Sequence, residues 1–322
     1  MQNSAGNRRE VSWPRGIWAA VPTPFRADES LDLPGIAANV RHFRALGLAG
    51  LFCNGLMGEG WSLSMAERRQ ILETMVAAAE GAMPIGVVTT HGSVGETLEL
   101  SRHAALSGAD HVVLMRPPGL FSGDELADMV RMIADAVECR LVLFDSEAQS
   151  GGYPSAVIRR LAEEGRIHAV KCTRNGDAIA ALRAECGDVV AICDPYEDHA
   201  LSNLQRFNAQ VLYADPEPYL YQTPALPLIH GYFEDHRHGR LDAMLAGHAR
   251  IEPLRRVYGR WIQTPLMRGQ PINAALKHWC HRLGLAAGPV RRPLRALAAN
   301  QLAALDADLN AAFAAALGAP PG

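Results

Sequence analysis

Eight short apolar stretches recur along the chain at intervals of about 20 to 35 residues, and helical stretches separate most neighbouring pairs. The apolar stretches cover residues 16–21, 49–54, 84–90, 111–115, 140–145, 166–173, 188–193 and 210–214. Between them, 33–46, 65–79, 94–106, 123–137, 155–164 and 177–185 carry helical spacing; Leu33, Ile36, Val40 and Phe43, for instance, fall on one stripe. Strands alternating with helices give a parallel sheet, because a parallel neighbour is reached only through a crossover. Eight such units close on themselves, so the expected fold class is α/β, a (β/α)8 TIM barrel. Beyond the eighth stretch, 241–262, 272–283 and 294–317 look helical, and Pro253 is expected to kink or split the first of these. The expected organisation is an extended or disordered segment over 1–15, a barrel over 16–225, and a helical extension over 226–322 packed on the barrel.

The chain has 322 residues, a formal charge of −3 and 48% apolar residues, which suffices for one large core. No face is rich in lysine and arginine, so nucleic acid is not an expected partner. The short cluster Arg291, Arg292 and Arg295 reads as solvated surface. No apolar run nears the roughly 18 residues that span a bilayer, so no membrane association is expected. The polar start also lacks the apolar core of a signal peptide. The cysteines Cys53, Cys139, Cys172, Cys186, Cys193 and Cys280 form no C-x-x-C pair, which suits reduced thiols in a cytoplasmic protein. The histidines show no ligand spacing such as H-E-x-x-H, and His236-Arg237-His238 reads as a polar turn. No metal and no cofactor is expected.

In a barrel of this kind chemistry gathers at the C-terminal ends of the strands. The sixth stretch closes on Lys171. Burial disfavours the charged form of an amine, and a neutral amine attacks a carbonyl to form a Schiff base. Taken locally, Lys171 reads more readily as the first exposed residue after a strand, since lysine is mostly exposed. After the second stretch, Gly55-Leu56-Met57-Gly58-Glu59 can turn consecutive N–H groups into one concavity suited to a carboxylate or phosphate. By itself G-x-x-G is more often an ordinary turn. Ser64 and Glu67, just downstream, have the spacing of a capping box. His91 after strand three and Glu147 after strand five are candidate acids or bases. Phe144 is expected to point inward and Asp145 away from it, since side chains alternate along a strand. Leu212 and Tyr213 at the end of strand eight are candidate substrate contacts, with core packing as the competing role of Tyr213. Asp194 and Tyr196, after strand seven, are further polar candidates.

The ordered set of motifs resembles the dihydrodipicolinate synthase / N-acetylneuraminate lyase family of class I aldolases. Pro22-Thr23-Pro24-Phe25 resembles that family's T-P-F, Gly55 to Glu59 its G-T-T-G-E loop, and Ser62-Leu63-Ser64-x-x-Glu67 its T-L-S-x-x-E. Gly108-Ala109-Asp110 resembles the start of its fourth strand. Phe144-Asp145 stands where the family has Y-N, and Ser150-Gly151 matches T-G. Ala169-Val170-Lys171 resembles the G-I-K that carries the Schiff-base lysine. Asn273 to Lys277 and Gly284 to Pro293 resemble its C-terminal helical segment. The resemblance runs from about Gly16 to Ala296. It implies a barrel with a C-terminal helical extension, a homo-oligomer (tetramer or dimer), and Lys171 as the residue that condenses with pyruvate or another small-molecule 2-oxo acid. It also implies Gly55, Leu56, Met57, Gly58 and Phe144 as substrate-binding residues.

The departures from the family are concentrated in its proton-relay groups. Phe144 stands where the family has a tyrosine, Leu56 and Met57 where it has threonines, and no tyrosine follows strand four. Gln149 aligns with the arginine that the synthase uses for a second carboxylate. The expectation is therefore a lyase or aldolase that forms the imine but is not dihydrodipicolinate synthase itself. The alternative is a catalytically silent relative that binds a 2-oxo acid. Leu56, Met57 and Phe144 together favour a substrate with an apolar or aromatic part over a polyhydroxylated sugar acid.

Overall fold

The computed structural model describes residues 13–146, 151–209 and 211–317. The strands are β1 (Gly16–Ala20), β2 (Gly50–Cys53), β3 (Ile85–Val88), β4 (His111–Met115), β5 (Arg140–Asp145), β6 (Ala169–Cys172), β7 (Ala191–Cys193) and β8 (Val211–Ala214). They form one sheet in the order β7-β6-β5-β4-β3-β2-β1-β8, and the registered pairs are parallel. The helices between them are α1 (Leu33–Ala45), α2 (Met65–Ala79), α3 (Val94–Leu106), α4 (Gly123–Ala134), α5 (Ser155–Glu163), α6 (Gly176–Cys186) and α7 (Ala200–Phe207). The fold is the expected (β/α)8 barrel. After β8 come α8 (Glu217–Leu220), α9 (Leu228–Arg237), α10 (Leu241–Ala249), α11 (Glu252–Tyr258), a π-turn over Gly259–Gln263, α12 (Thr264–Met267), α13 (Asn273–Arg282) and α14 (Ala299–Leu317). No helix among the described residues is long and apolar enough to cross a membrane.

Two compact units are distinguished along the chain. One contains residues 13–15, Gly86–Pro195 and Val211–Tyr213. Its core is made by the apolar runs of β4, β5 and β6, in which Val112, Val113, Leu114, Leu143, Ala169 and Val170 are fully buried. Registered residues of adjacent parallel strands share a face, so Met115, Phe144, Lys171 and Cys193 form one row across β4 to β7. The other unit contains Gly16–Ile85, Tyr196–Gln210 and Ala214–Gly322. In it the side chain of Ser64 accepts from the Glu67 amide and Glu67 accepts from the Ser64 amide, the capping box that starts α2. A buried carboxylate, Glu197, is met by Arg255 through Nε and Nη2 and by the Tyr232 hydroxyl at 3.0 Å.

Two expectations are corrected. His236 and Arg237 do not sit in a polar turn; they are the last turn of α9. That helix begins where the Gln222 side chain accepts from the amides of Ile229 and His230, a cap supplied from outside the helix. The first helical stretch after the barrel is split at Pro253 as expected: the break falls at Arg250–Ile251, and Pro253 lies in the first turn of α11. Arg291 is not solvated surface. Its guanidinium lies 4.2 Å from the centre of the Phe25 ring and pairs with Glu67 at 2.7 Å.

The ring of His248 on α10 packs edge-on against Tyr232, and its Nε2 has no hydrogen-bond partner among the described residues. Burial pushes it down from the ordinary histidine value to about 4, with the charge of Arg255 acting in the same sense. The unfolded chain therefore takes up this proton first as the pH falls, and the folded state loses stability between about 6.5 and 4. The slope is at most about 1.4 kcal/mol per pH unit for one proton. Urea unfolding at pH 7 and pH 5 should show wild type losing about 1 to 2 kcal/mol more than His248→Gln over that interval.

Candidate active site

Lys171 is the third residue of the four-residue β6, one position before the strand ends, and its side chain is 0% exposed. Its Nζ lies 4.3 Å from the centre of the Phe144 ring, its register partner on β5. An ammonium over a ring face is held by the ring's quadrupole, while the ring itself offers no proton to exchange. Cys193, the partner on the other side, is a thiol pushed up to about 12 by burial. Cys172 is likewise pushed up to about 12, so neither thiol is a thiolate near neutrality. Lys171 is the nucleophile this row offers.

Alternation sends the neighbouring residues to the opposite face. Asp145 is fully buried there, accepting from the Tyr153 amide at 2.7 Å and from Arg174 at 2.6 and 3.2 Å, with the Cys172 thiol at 3.4 Å. Arg174 also donates to the Tyr153 carbonyl at 2.7 Å. This cluster ties the far end of the strand-five loop to the residues just after β6. The Tyr153 hydroxyl is buried with no hydrogen-bond partner among the described residues. Arg116, following β4, reaches the Gly151 carbonyl at 3.4 Å. Nothing in the sequence flagged Arg174 or Tyr153, because neither carries a motif. Glu147 lies outside the described residues.

The other sequence candidates are placed as follows. His91 turns toward the first turn of α3, with Nδ1 2.6 Å from Glu96 Oε2 and 3.2 Å from the Ser93 amide. Leu212 and Tyr213 are fully buried, and the Tyr213 hydroxyl meets His111 Nε2 at 2.5 Å. His111 is the first residue of β4, and its other nitrogen lies 3.2 Å from Asp110. Tyr213 is thus engaged in the core of its unit.

In the other unit, the turn after β2 contains Gly55, Leu56, Met57, Gly58 and Glu59. Asn54 and Glu59 bracket it with φ of 62° and 53°, the left-handed region that non-glycine residues rarely adopt. Gly58 permits the close fold: a Cβ there would lie 2.9 Å from Thr23 Oγ1 and 3.0 Å from the Val21 carbonyl. Glu59 is held by two contacts, and its ammonium partner by one more. Lys277 Nζ is 2.6 Å from Oε1, the Arg291 amide donates to Oε2 at 2.9 Å, and Lys277 also donates to the Pro289 carbonyl at 2.7 Å. Burial pushes the Lys277 ammonium down from its ordinary value, and the Glu59 carboxylate opposes that shift. Asn273, at the start of α13, donates to the Leu56 carbonyl at 3.0 Å.

The strands and helices define the class of (β/α)8 barrels with a C-terminal helical region, and comparison with known proteins gives the family within it. The model of the Dihydrodipicolinate synthetase family matches residues 13–207, more than half of the chain, and the chain belongs to that family. It is 27% identical over 292 residues to 4-hydroxy-tetrahydrodipicolinate synthase of Methanothrix thermoacetophila, covering 87% of this chain and 90% of that one. It is 28% identical over 299 residues to N-acetylneuraminate lyase of Rhizobium meliloti, covering 90% of this chain and 92% of that one. Among solved structures, YagE of E. coli K12 superposes with a TM-score of 0.82 at 23% identity, covering 93% of this chain and 98% of that one. YagE is a prophage protein of the dihydrodipicolinic acid synthase family, solved in complex with pyruvate, and at this identity the likeness supports the fold. The curated relatives support lyase-type chemistry for this chain.

Lys277→Met should leave the Glu59 carboxylate buried and without its ammonium. Removing one partner of a buried pair costs about 3 to 5 kcal/mol. Chemical denaturation should report a loss of that order, and adding Glu59→Gln should recover more than half of it. Independent, additive losses would show that the two charges do not depend on each other.

Proposed function

We propose that the chain is a lyase of the aldolase type in which Lys171 forms a Schiff base with pyruvate or another 2-oxo acid. The observation that carries this reading is the burial of the Lys171 amine on β6 against the Phe144 ring. The neutral amine adds to the C2 carbonyl carbon; the resulting carbinolamine loses its hydroxyl as water and becomes the imine. The protonated imine then accepts the electron pair released when the substrate's carbon–carbon bond breaks. The family resemblance supports the turn at Gly55, Leu56, Met57 and Gly58 as the place of the substrate carboxylate, bound by main-chain amides.

Proton transfer is where this chain departs from its relatives. Phe144 has no hydroxyl, and general acid–base help of that kind is worth about 10² to 10⁴ in rate. A bound water, the substrate's own carboxylate or an atypical side chain takes that role. Leu56, Met57 and Phe144 favour a substrate with an apolar or aromatic part. A second reading, a relative that binds a 2-oxo acid without turning it over, is favoured by the same Phe144.

Borohydride reduction with a panel of 2-oxo acids, followed by intact mass and peptide mapping, should find one adduct, on Lys171. An adduct elsewhere, or none with any acid of the panel, contradicts the proposal. Lys171→Ala should lose the adduct, with circular dichroism to check that the variant is folded.

The protein should not be a working dihydrodipicolinate synthase. Gln149 replaces the arginine that pairs with the second carboxylate, and a charged hydrogen bond lost there costs about 1.5 to 3 kcal/mol. In a coupled assay with pyruvate and aspartate semialdehyde, turnover should stay below about 1 per second, the lower edge of ordinary enzyme rates.

A further inference from the structure

The turn after β2 has lost the side-chain donors of its relatives, which puts its main-chain geometry in control. Neither Leu56 nor Met57 carries a hydroxyl, so the donors these two residues offer an anion are amide N–H groups. Within the turn, the amides of Gly58 and Gly60 both donate to the Gly55 carbonyl, at 3.2 and 3.0 Å, and the Glu59 amide donates to the Leu56 carbonyl at 3.1 Å. Among the described residues no acceptor meets the amides of Leu56 or Met57. Three consecutive donors, the amides of Gly55, Leu56 and Met57, are left over among the described residues, while those of Gly58, Glu59 and Gly60 are committed.

Asn273 is the side chain that fixes how one of those donors faces. It is 3% exposed, and its Nδ2 lies 3.0 Å from the Leu56 carbonyl and 3.5 Å from the Met57 carbonyl. A peptide unit is planar and trans, so its C=O and N–H point in opposite directions. Drawing the Leu56 carbonyl toward α13 therefore turns the Met57 N–H the other way. The opposite end of the turn is held separately, through Glu59 by Lys277 and Arg291.

We infer that Asn273 is a positioning residue: by holding the Leu56 carbonyl it aims the unengaged Met57 amide at the carboxylate of the 2-oxo acid. The inference rests on the proposed carboxylate site, and it does not require the imine at Lys171. It makes the residue's effect specific to ligands that carry a carboxylate, which a general packing role would not.

The test is done in a Lys171→Ala background, where no imine can form, by ligand-observed NMR titration with pyruvate and with methyl pyruvate. Adding Asn273→Ala should weaken pyruvate roughly tenfold, the worth of one charged hydrogen bond, and change methyl pyruvate less than about twofold. Asn273→Asp, which keeps the shape and removes the donor, should behave alike and covers the case in which the alanine variant fails to fold. Equal weakening of both ligands, or no change for pyruvate, overturns the inference. If pyruvate does not bind the Lys171→Ala protein at all, the carboxylate site itself is wrong and the inference falls with it. Borohydride labelling of Lys171 in the wild type stands or falls separately.

Discussion

Glu59 and Lys277 are both withdrawn from water, and neither is tolerable there alone. Isolated charges of this kind cost several kcal/mol each to bury, and mutual attraction offsets that only with good geometry and further hydrogen bonds. Here the pair is 2.6 Å apart, the Arg291 amide serves the second carboxylate oxygen, and the Pro289 carbonyl takes another ammonium proton. The pair also explains the backbone. Glu59 sits at a φ of 53°, a conformation costing on the order of 1 kcal/mol or more, and its anchored carboxylate keeps it there. The shape of the turn before it follows, with Asn273 holding the carbonyls at the other end. The arginine cluster near residue 291, unremarkable as a sequence, is therefore partly a structural brace.

A second constraint is simple alternation. On β5 and β6, Phe144 and Lys171 share one face while Asp145 and Cys172 share the other. Asp145, next to Phe144 on β5, is thus committed to Arg174 and the Tyr153 amide, and takes no part on the amine's face. The amine lies 4.3 Å from the centre of a ring that can stabilise a cation and cannot move a proton. That combination suits imine formation, whose charged product gains from the ring, better than the later steps that need a proton relay.

Much of the barrel was legible because buried parallel strands read as unbroken apolar runs, and helices between them keep their caps in the sequence. Residues 65–79, 94–106, 111–115 and 140–145 fall where the pattern puts them, and Ser64 and Glu67 announce the start of α2. Strand ends were less legible: β6 is four residues long because the preceding Arg166–His168 belongs to the link from α5. Helices α7 and α9 were not legible. The first buries only Ala200, Asn203 and Leu204, too few apolar positions to show a stripe. The second is capped by Gln222, which no local pattern reveals. The site was legible where it depends on a motif, as at Lys171 and Gly55 to Glu59. It was illegible where it depends on pairings across hundreds of residues, as between Glu59 and Lys277.

The central claim is that this chain activates the carbonyl of a 2-oxo acid covalently even though the usual proton-relay side chain is replaced by Phe144. Imine formation and hydrolysis exchange the carbonyl oxygen with water and need no carbon–carbon step, so they can be observed by themselves. Loss of oxygen-18 from pyruvate labelled at C2, followed by mass spectrometry and corrected for spontaneous exchange, measures this directly. Imine chemistry at Lys171 predicts washout that is proportional to wild-type enzyme and falls to the spontaneous rate with Lys171→Met. Washout at the spontaneous rate with the wild type, for pyruvate and for larger 2-oxo acids alike, would contradict it.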